Sequence, residues 1–323
     1  MSLGRTSPDL PWKTRLFIAT YCFGVDVCRR SNGTLNRGLM NMFDPKFPPS
    51  KTSSDHTIDP SRNLWFRLFL PSATISETAK LPLIVYFHGG GFAFSAANSK
   101  PYNDFCIRLA DEIPAVVVSI NYRLSPEHRF PTQYDDCFEA LKFIDSDAVV
   151  LPPQADRSRC FLAGDSAGGN IAHHVMVRSA DEVLEKMKLA GLIMIQPFFG
   201  GEERTESELR LTKMPLVNLE RTDWMWKVFL PEGSDRDHEA ANVFGGGSKS
   251  VDLSAMNFPA TMVFVGGFDP LQDRQRMYYE GLKKSGKEVK LVEYPNAIHG
   301  FYALPELPDS ALLIKEVRDF IQK

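Results

Sequence analysis

Ser166 sits in Gly164-Asp165-Ser166-Ala167-Gly168-Gly169, and upstream His88-Gly89-Gly90-Gly91-Phe92 ends a different apolar run. A serine hydroxyl is a poor nucleophile at neutral pH; it needs a neighbouring base and hydrogen-bond donors aimed at the charge its attack creates. The two segments have the residue types for this division of labour. Ser166 supplies the nucleophile, and the amides of Gly90, Gly91 and Ala167 supply donors for the oxyanion. A serine on a sharp strand-to-helix turn brings the residues two positions either side into close contact, so Gly164 and Gly168 must lack a Cβ. The Ala167 amide then opens the following helix, where unpaired N–H groups favour an anion.

The base belongs later in the chain, because triads on such an elbow run in the order serine, acid, histidine. Two of the seven histidines follow residue 180. His238 lies in the polar run Asp235-Arg236-Asp237-His238-Glu239, a solvated face or helix start. His299 lies in Pro295-Asn296-Ala297-Ile298-His299-Gly300-Phe301, a loop after the strand-like Lys290–Tyr294 and before a final helix, where a base should hang. His56 precedes the first strands, His128 is in a Pro-rich loop, and His173 and His174 ride the elbow helix; each reads as structural. His88 anchors the oxyanion loop. The acid orients the imidazole and stabilises its charged form, and Asp269, after Thr261–Val265 and the turn Gly266-Gly267-Phe268, leaves the chain at the same edge as His299. Asp273 reads as a helix residue and Asp252 as a cap. Asp165 points away from the substrate and anchors the turn.

These residues converge only if the chain builds one sheet edge. Buried runs at 64–70, 83–87, 115–120, 160–163, 191–195, 261–265 and 290–294 alternate with helical stretches, the pattern of βα units and a mostly parallel sheet. Right-handed crossovers put Gly90, Ser166, Asp269 and His299 at its carboxyl edge. Two regions fall outside this alternation. In residues 1–48, Trp12, Leu16, Ala19 and Phe23 recur at helical spacing, as do Leu35, Leu39, Met42 and Phe43 after the Asn32-Gly33 turn; these stripes predict helices that either pack on the core or cover the pocket as a lid. Residues 201–250, with Trp224, Met225, Trp226 and Phe229, read as a cap insertion in a single domain spanning 1–323, with a flexible loop at Gly245-Gly246-Gly247-Ser248. Phe92, Phe94, Trp12, Leu16 and Phe23 are the expected pocket and lid residues.

Taken together, His88–Gly91, the run Asn121-Tyr122-Arg123-Leu124-Ser125-Pro126-Glu127-His128-Arg129-Phe130-Pro131, Tyr134-Asp135-Asp136 and Gly164–Asn170 resemble the plant carboxylesterases of the hormone-sensitive lipase branch of the α/β-hydrolases. The resemblance spans nearly the whole chain. It implies an α/β-hydrolase fold with an N-terminal helical lid and hydrolysis of small apolar acyl esters. Pro11-Trp12-Lys13, Arg29–Arg37 and Gly200–Ser207 are also similar to the gibberellin receptors, non-catalytic relatives that imply a small-molecule-binding alternative. In those receptors an aliphatic residue replaces the triad histidine, and serines stand in the oxyanion loop and after the nucleophile. This chain has His299, Gly91 and Ala167 there.

Composition excludes other classes. With 43% hydrophobic and 24% charged residues over 323 positions, the chain can bury a large core. A net charge of −3 provides no basic stripe for nucleic acid. Five cysteines without C-x-x-C spacing point to a reducing compartment rather than a disulfide framework. The N-terminus lacks a signal-peptide pattern, and the apolar patch at 16–27, about a dozen residues long and interrupted by Asp26, is too short to span a bilayer. The expected location is the cytoplasm with access to the nucleus, where the Asn32-Gly33-Thr34 sequon stays silent. No metal cluster or nucleotide loop stands out, so neither a metal nor another cofactor is expected. The expected partner is a small-molecule ester; a protein partner is expected only under the receptor reading.

Overall fold

The computed structural model describes residues 7–76, 78–146, 151–182, 184–245 and 252–323. Among them, β1 (Ser53–Asp59), β2 (Leu64–Phe69), β3 (Leu81–Phe87), β4 (Val116–Asn121), β5 (Ala155–Asp165), β6 (Leu189–Ile195), β7 (Thr261–Phe268) and β8 (Val289–Ile298) form one sheet. Its order is β1-β2-β4-β3-β5-β6-β7-β8. β2 runs antiparallel to both of its neighbours, and the pairs from β4 through β8 are parallel.

Successive side chains on a strand point to opposite faces, and β3 shows what this does here. Leu83, Val85 and Phe87 join one apolar cluster, with Phe138 and Leu141 of α4 (Thr132–Ser146), Ile171 and Val175 of α5 (Ala167–Asp181) and Tyr278 of α8 (Gln272–Lys284). Ile84 and Tyr86 join the other, with Phe105 and Leu109 of α3 (Lys100–Glu112) and Leu313 and Val317 of α9 (Pro308–Ile321). A strand buried on both faces reads as a continuous apolar run, which is why these strands are legible.

The two edge strands, β1 and β8, are the exceptions, and β1 is the more polar. Ser53-Ser54-Asp55-His56-Thr57-Ile58-Asp59 is polar because an edge strand with one partner leaves its side chains half-buried or exposed. His56 therefore lies on the first strand rather than before it, its ring stacked on Phe66 at 5.0 Å. Asp55 forks the buried Arg67 guanidinium at 2.6 and 2.7 Å, which compensates a charge that would be costly alone.

The N-terminal segment forms α1 (Trp12–Cys28) and α2 (Arg37–Phe43). They approach so closely that a Cβ on Gly24 would enter the Phe43 ring. α1 buries Thr14, Ile18, Gly24, Val25 and Cys28, the stripe opposite the one expected. Trp12, Leu16 and Phe23 are 70%, 61% and 60% exposed. Between β6 and β7 lie α6 (Glu206–Arg210) and α7 (Leu219–Phe229), with Trp224, Trp226 and Phe229 in the apolar core. Of the loop at 245–248, only Gly245 lies within the described residues.

Candidate active site

β5 delivers the chain into Ser166, whose backbone is held at φ 49° and ψ −119° before α5 begins. This left-handed conformation is strained for a serine. Neighbouring strands hold it in place: the Ser166 N–H donates to the Ile195 carbonyl at 2.9 Å, and the Ser166 carbonyl accepts from Phe198 N–H at 2.8 Å. A Cβ on Gly164 would meet the Gly168 carbonyl, and one on Gly168 would be driven into the Phe87 carbonyl. The elbow thus depends on both glycines for the steric reason read from the sequence.

β3 ends at Phe87, and the turn that follows has Gly90 at φ 105°, Gly91 at φ 59° and Phe92 at φ 61°. The carbonyl of Gly90 accepts from Ala93 and Phe94 N–H at 3.1 and 2.9 Å. The amides of Gly90, Gly91 and Ala167 donate to no acceptor among the described residues, and Gly90 and Gly91 line the cavity that holds Ser166. Unpaired backbone donors beside a serine hydroxyl can receive negative charge. His88 supports the turn: its ring stacks on Tyr122 at 4.3 Å, its Nδ1 lies 2.8 Å from the Gly89 carbonyl, and Tyr122 Oη donates to the His88 carbonyl at 2.7 Å. Burial pushes the His88 imidazole down to about 3, so it stays neutral.

His299 follows β8 directly. The strand runs through Ile298, which pairs with Phe268 across a register shift, so the loop expected from Pro295 is strand up to Ile298. Asp269 follows β7, and its Oδ2 lies 2.8 Å from His299 Nδ1. Since a carboxylate only accepts, Nδ1 carries the proton and Nε2 is left as the acceptor. The same oxygen accepts from Gln196 and Gln275 side chains at 3.0 and 2.8 Å, and Oδ1 accepts from Leu271 N–H at 2.9 Å. Gln196 also accepts from Gly300 N–H at 2.9 Å, which ties Asp269 to the loop bearing His299. Burial opposes charge on His299, but the Coulombic pull and hydrogen bond of Asp269, helped by Asp165, hold its pKa above the usual imidazole value. Gln196 and Gln275 carried no signal in the sequence beyond the position of Gln196 at a strand's carboxyl end.

Ser166, His299, Gly90 and Gly91 face one cavity of about 380 Å³. Its apolar wall comes from Phe198, Leu216, Val217, Met225 and Leu271, and α1 adds Phe17, Ile18, Tyr21 and Val25. Phe94 lines the cavity as expected; Phe92 does not. Phe92 is wholly buried, stacked at 3.7 Å on Phe229 of α7, because its positive φ turns the ring into the core. Trp12, Leu16 and Phe23 are likewise absent from the lining, since the inner face of α1 belongs to Ile18, Tyr21 and Val25. Of the other candidates, Asp273 lies on α8 and accepts from Ser207 N–H at 2.8 Å, and Asp252 caps a turn through Ser254 N–H at 2.9 Å. No metal-holding group of three or more His, Cys, Asp or Glu side chains occurs among the described residues, and no helix among them is long and apolar enough to cross a membrane.

A family model described as the alpha/beta hydrolase fold matches residues 84–303. The gibberellin receptor GID1C of Arabidopsis thaliana is 41% identical, over 97% of this chain and 94% of the receptor. Carboxylesterase 20 of the same plant is 39% identical, over 85% of this chain and 89% of that protein. Among solved structures, the hyperthermophilic esterase from the archaeon Pyrobaculum calidifontis matches with a TM-score of 0.74 and 26% identity, covering 99% of this chain and 93% of the esterase.

Proposed function

The chain belongs to the α/β-hydrolase fold family, and from that premise we propose that it is a carboxylic ester hydrolase acting through Ser166, His299 and Asp269. The observation that carries this reading is a buried Asp269–His299 pair, joined at 2.8 Å through Nδ1, with His299 and Ser166 lining one cavity. Ser166 Oγ attacks the ester carbonyl while His299 Nε2 takes its proton. The amides of Gly90, Gly91 and Ala167 receive the oxyanion, and His299 returns the proton to the departing alcohol. Water, deprotonated by the same imidazole, then attacks the acyl carbonyl, and the imidazolium returns that proton to Ser166 Oγ as the acid leaves. Asp269 keeps the ring in the correct tautomer and stabilises the imidazolium. The apolar walls and modest volume favour small apolar acyl groups, with α1 and α2 serving as a lid and the 201–250 region as a cap.

p-Nitrophenyl acetate and butyrate test the proposal. Turnover by the wild type should fall on the order of 10⁴-fold or more in Ser166→Ala, whereas equal rates in the two proteins would overturn the mechanism.

A second reading, a gibberellin-binding receptor, draws on two observations: α1 closes part of the cavity with Ile18, Tyr21 and Val25, and the similarity to GID1C extends over 97% of the chain. A gibberellin that raises the melting temperature of a wild type without esterase turnover would favour this reading.

A further inference from the structure

The ester-hydrolase scheme leaves one buried carboxylate unused. Asp165, the last residue of β5, takes four donors on two oxygens. Oδ1 accepts from Tyr86 Oη at 2.7 Å and from Gly89 N–H at 2.8 Å. Oδ2 accepts from Tyr102 Oη at 3.2 Å and from Tyr302 Oη. The donors come from β3, the oxyanion loop, α3 and the short 3-10 turn Phe301–Ala303 that follows His299. All four partners donate, and hydrogen bonds donated to a carboxylate favour its ionised form.

We infer that Asp165 is a second carboxylate serving the base: it fixes the His299 loop against the oxyanion loop through Tyr302 and Gly89, and its charge stabilises the imidazolium alongside Asp269. Asp165 is a positioning residue, since it touches no reacting atom in the scheme above. The arrangement explains why three tyrosine hydroxyls from separate elements converge on one point beside the elbow. Asp269 meets His299 from the β7–α8 connection, while Asp165, at the end of β5, lines the same cavity as His299 and favours its charged form. Besides its donors, Asp165 feels Tyr21 of α1, Cys106 of α3 and Tyr122 after β4, all held neutral by burial. Burial raises the pKa of Asp165 itself, and the hydrogen bonds from Tyr302 and Tyr86 counter that rise. Loss of a donor therefore weakens the charge that His299 sees.

The kinetic consequence rests on the ester-hydrolase reading, but the titration of the ring does not. The test follows the His299 imidazole by ¹⁵N–¹H NMR across pH in wild type, Asp165→Asn, Tyr302→Phe and the double variant. In Asp165→Asn the midpoint should fall by about half a pH unit or more, as expected for loss of a nearby opposite charge. Tyr302→Phe should move it in the same direction by less, and the double variant should fall no further than Asp165→Asn, because Tyr302 acts through the carboxylate. With p-nitrophenyl butyrate, kcat should drop about tenfold or more at a KM within about twofold, the signature of a misplaced base rather than weaker binding. A folded Asp165→Asn with a midpoint within about 0.2 of wild type, set against a shift of one to three for a close charge partner, overturns the inference. If Asp165→Asn does not fold, Tyr302→Phe decides alone, and an unchanged midpoint with unchanged kcat overturns it. A midpoint that moves in a protein whose Ser166 neither turns over esters nor labels with a fluorophosphonate upholds the inference and sinks the hydrolase reading.

Discussion

His299 is held between opposed influences. Burial disfavours its charged form, while Asp269 and Asp165 favour it, and the balance lies above the ordinary imidazole value. A base must be neutral to accept a proton, so kcat/KM should rise with pH through a midpoint above about 6.5, the unperturbed histidine value. A pH–rate profile on p-nitrophenyl butyrate measures it, and a midpoint at or below that value would show that burial outweighs the two carboxylates at His299. Gln196 and Gln275 bear on the same point, since both donate to the Asp269 oxygen that holds the ring. Their amide protons crowd that oxygen alongside His299 Nδ1, an arrangement that suits a carboxylate orienting the ring.

At the scale of elements, one arginine links the N-terminal helices to the oxyanion turn. Arg37 opens α2 and donates to the carbonyls of Ala93 and Ser125 as well as to Glu127 at 2.6 and 3.1 Å. The Glu127 pair is partly exposed and worth little by itself. The bonds to two carbonyls are charge-assisted and hold the turn that carries Gly90 and Gly91. Arg37→Ala should therefore cost about 1.5–3 kcal/mol, read as a lower melting temperature, and reduce kcat about tenfold through displacement of the donors. A variant with lowered stability but full kcat would restrict Arg37 to holding the chain. The further grip on α1 comes from α7: Arg221 forks Asp26 at 2.6 and 2.9 Å, and Trp224 Nε1 donates to the Arg30 carbonyl at 3.0 Å.

For the whole molecule, the buried histidines set the acid limit. His88 and His174 are pushed down to about 3 and about 4, and His173 well below its usual value, each by burial. Unfolding restores their ordinary basicity, so below about pH 6.5 the unfolded chain binds protons that the folded chain refuses, at about 1.4 kcal/mol per pH unit for each histidine. His299 acts in a different window: its raised folded pKa contributes stability that is complete below the unfolded value and is lost as pH rises above it. Asp165 and Asp309, held upward by burial, offset part of the acid loss. Stability should be greatest near neutrality and fall steeply from pH 6 toward 4.5. Calorimetry across that range should find a net uptake of more than about one proton on unfolding, and a flat melting temperature from pH 7 to 5 would show that these rings are not buried neutral.

By itself the sequence determined what depends on short-range sterics and chain order. Gly164 and Gly168 announce the turn at Ser166 because no Cβ fits there, apolar runs announce β2 to β8, and the position of Asp269 and His299 after the last two of those runs brings them to the same edge. Only the tertiary structure decided what depends on the opposing surface. α1 is apolar on both faces, Trp12, Leu16 and Phe23 on one and Ile18, Val25 and Cys28 on the other, so periodicity could reveal a helix but not which stripe turns inward. Phe92 went into the core because Phe229, more than a hundred residues away, offers it a stacking face. Gln196, Gln275 and Asp165 became supports of the site through partners on other elements. A polar side chain's role is fixed by the donors and acceptors that folding places within about 3 Å of it, and that proximity is not written in the spacing of any one segment.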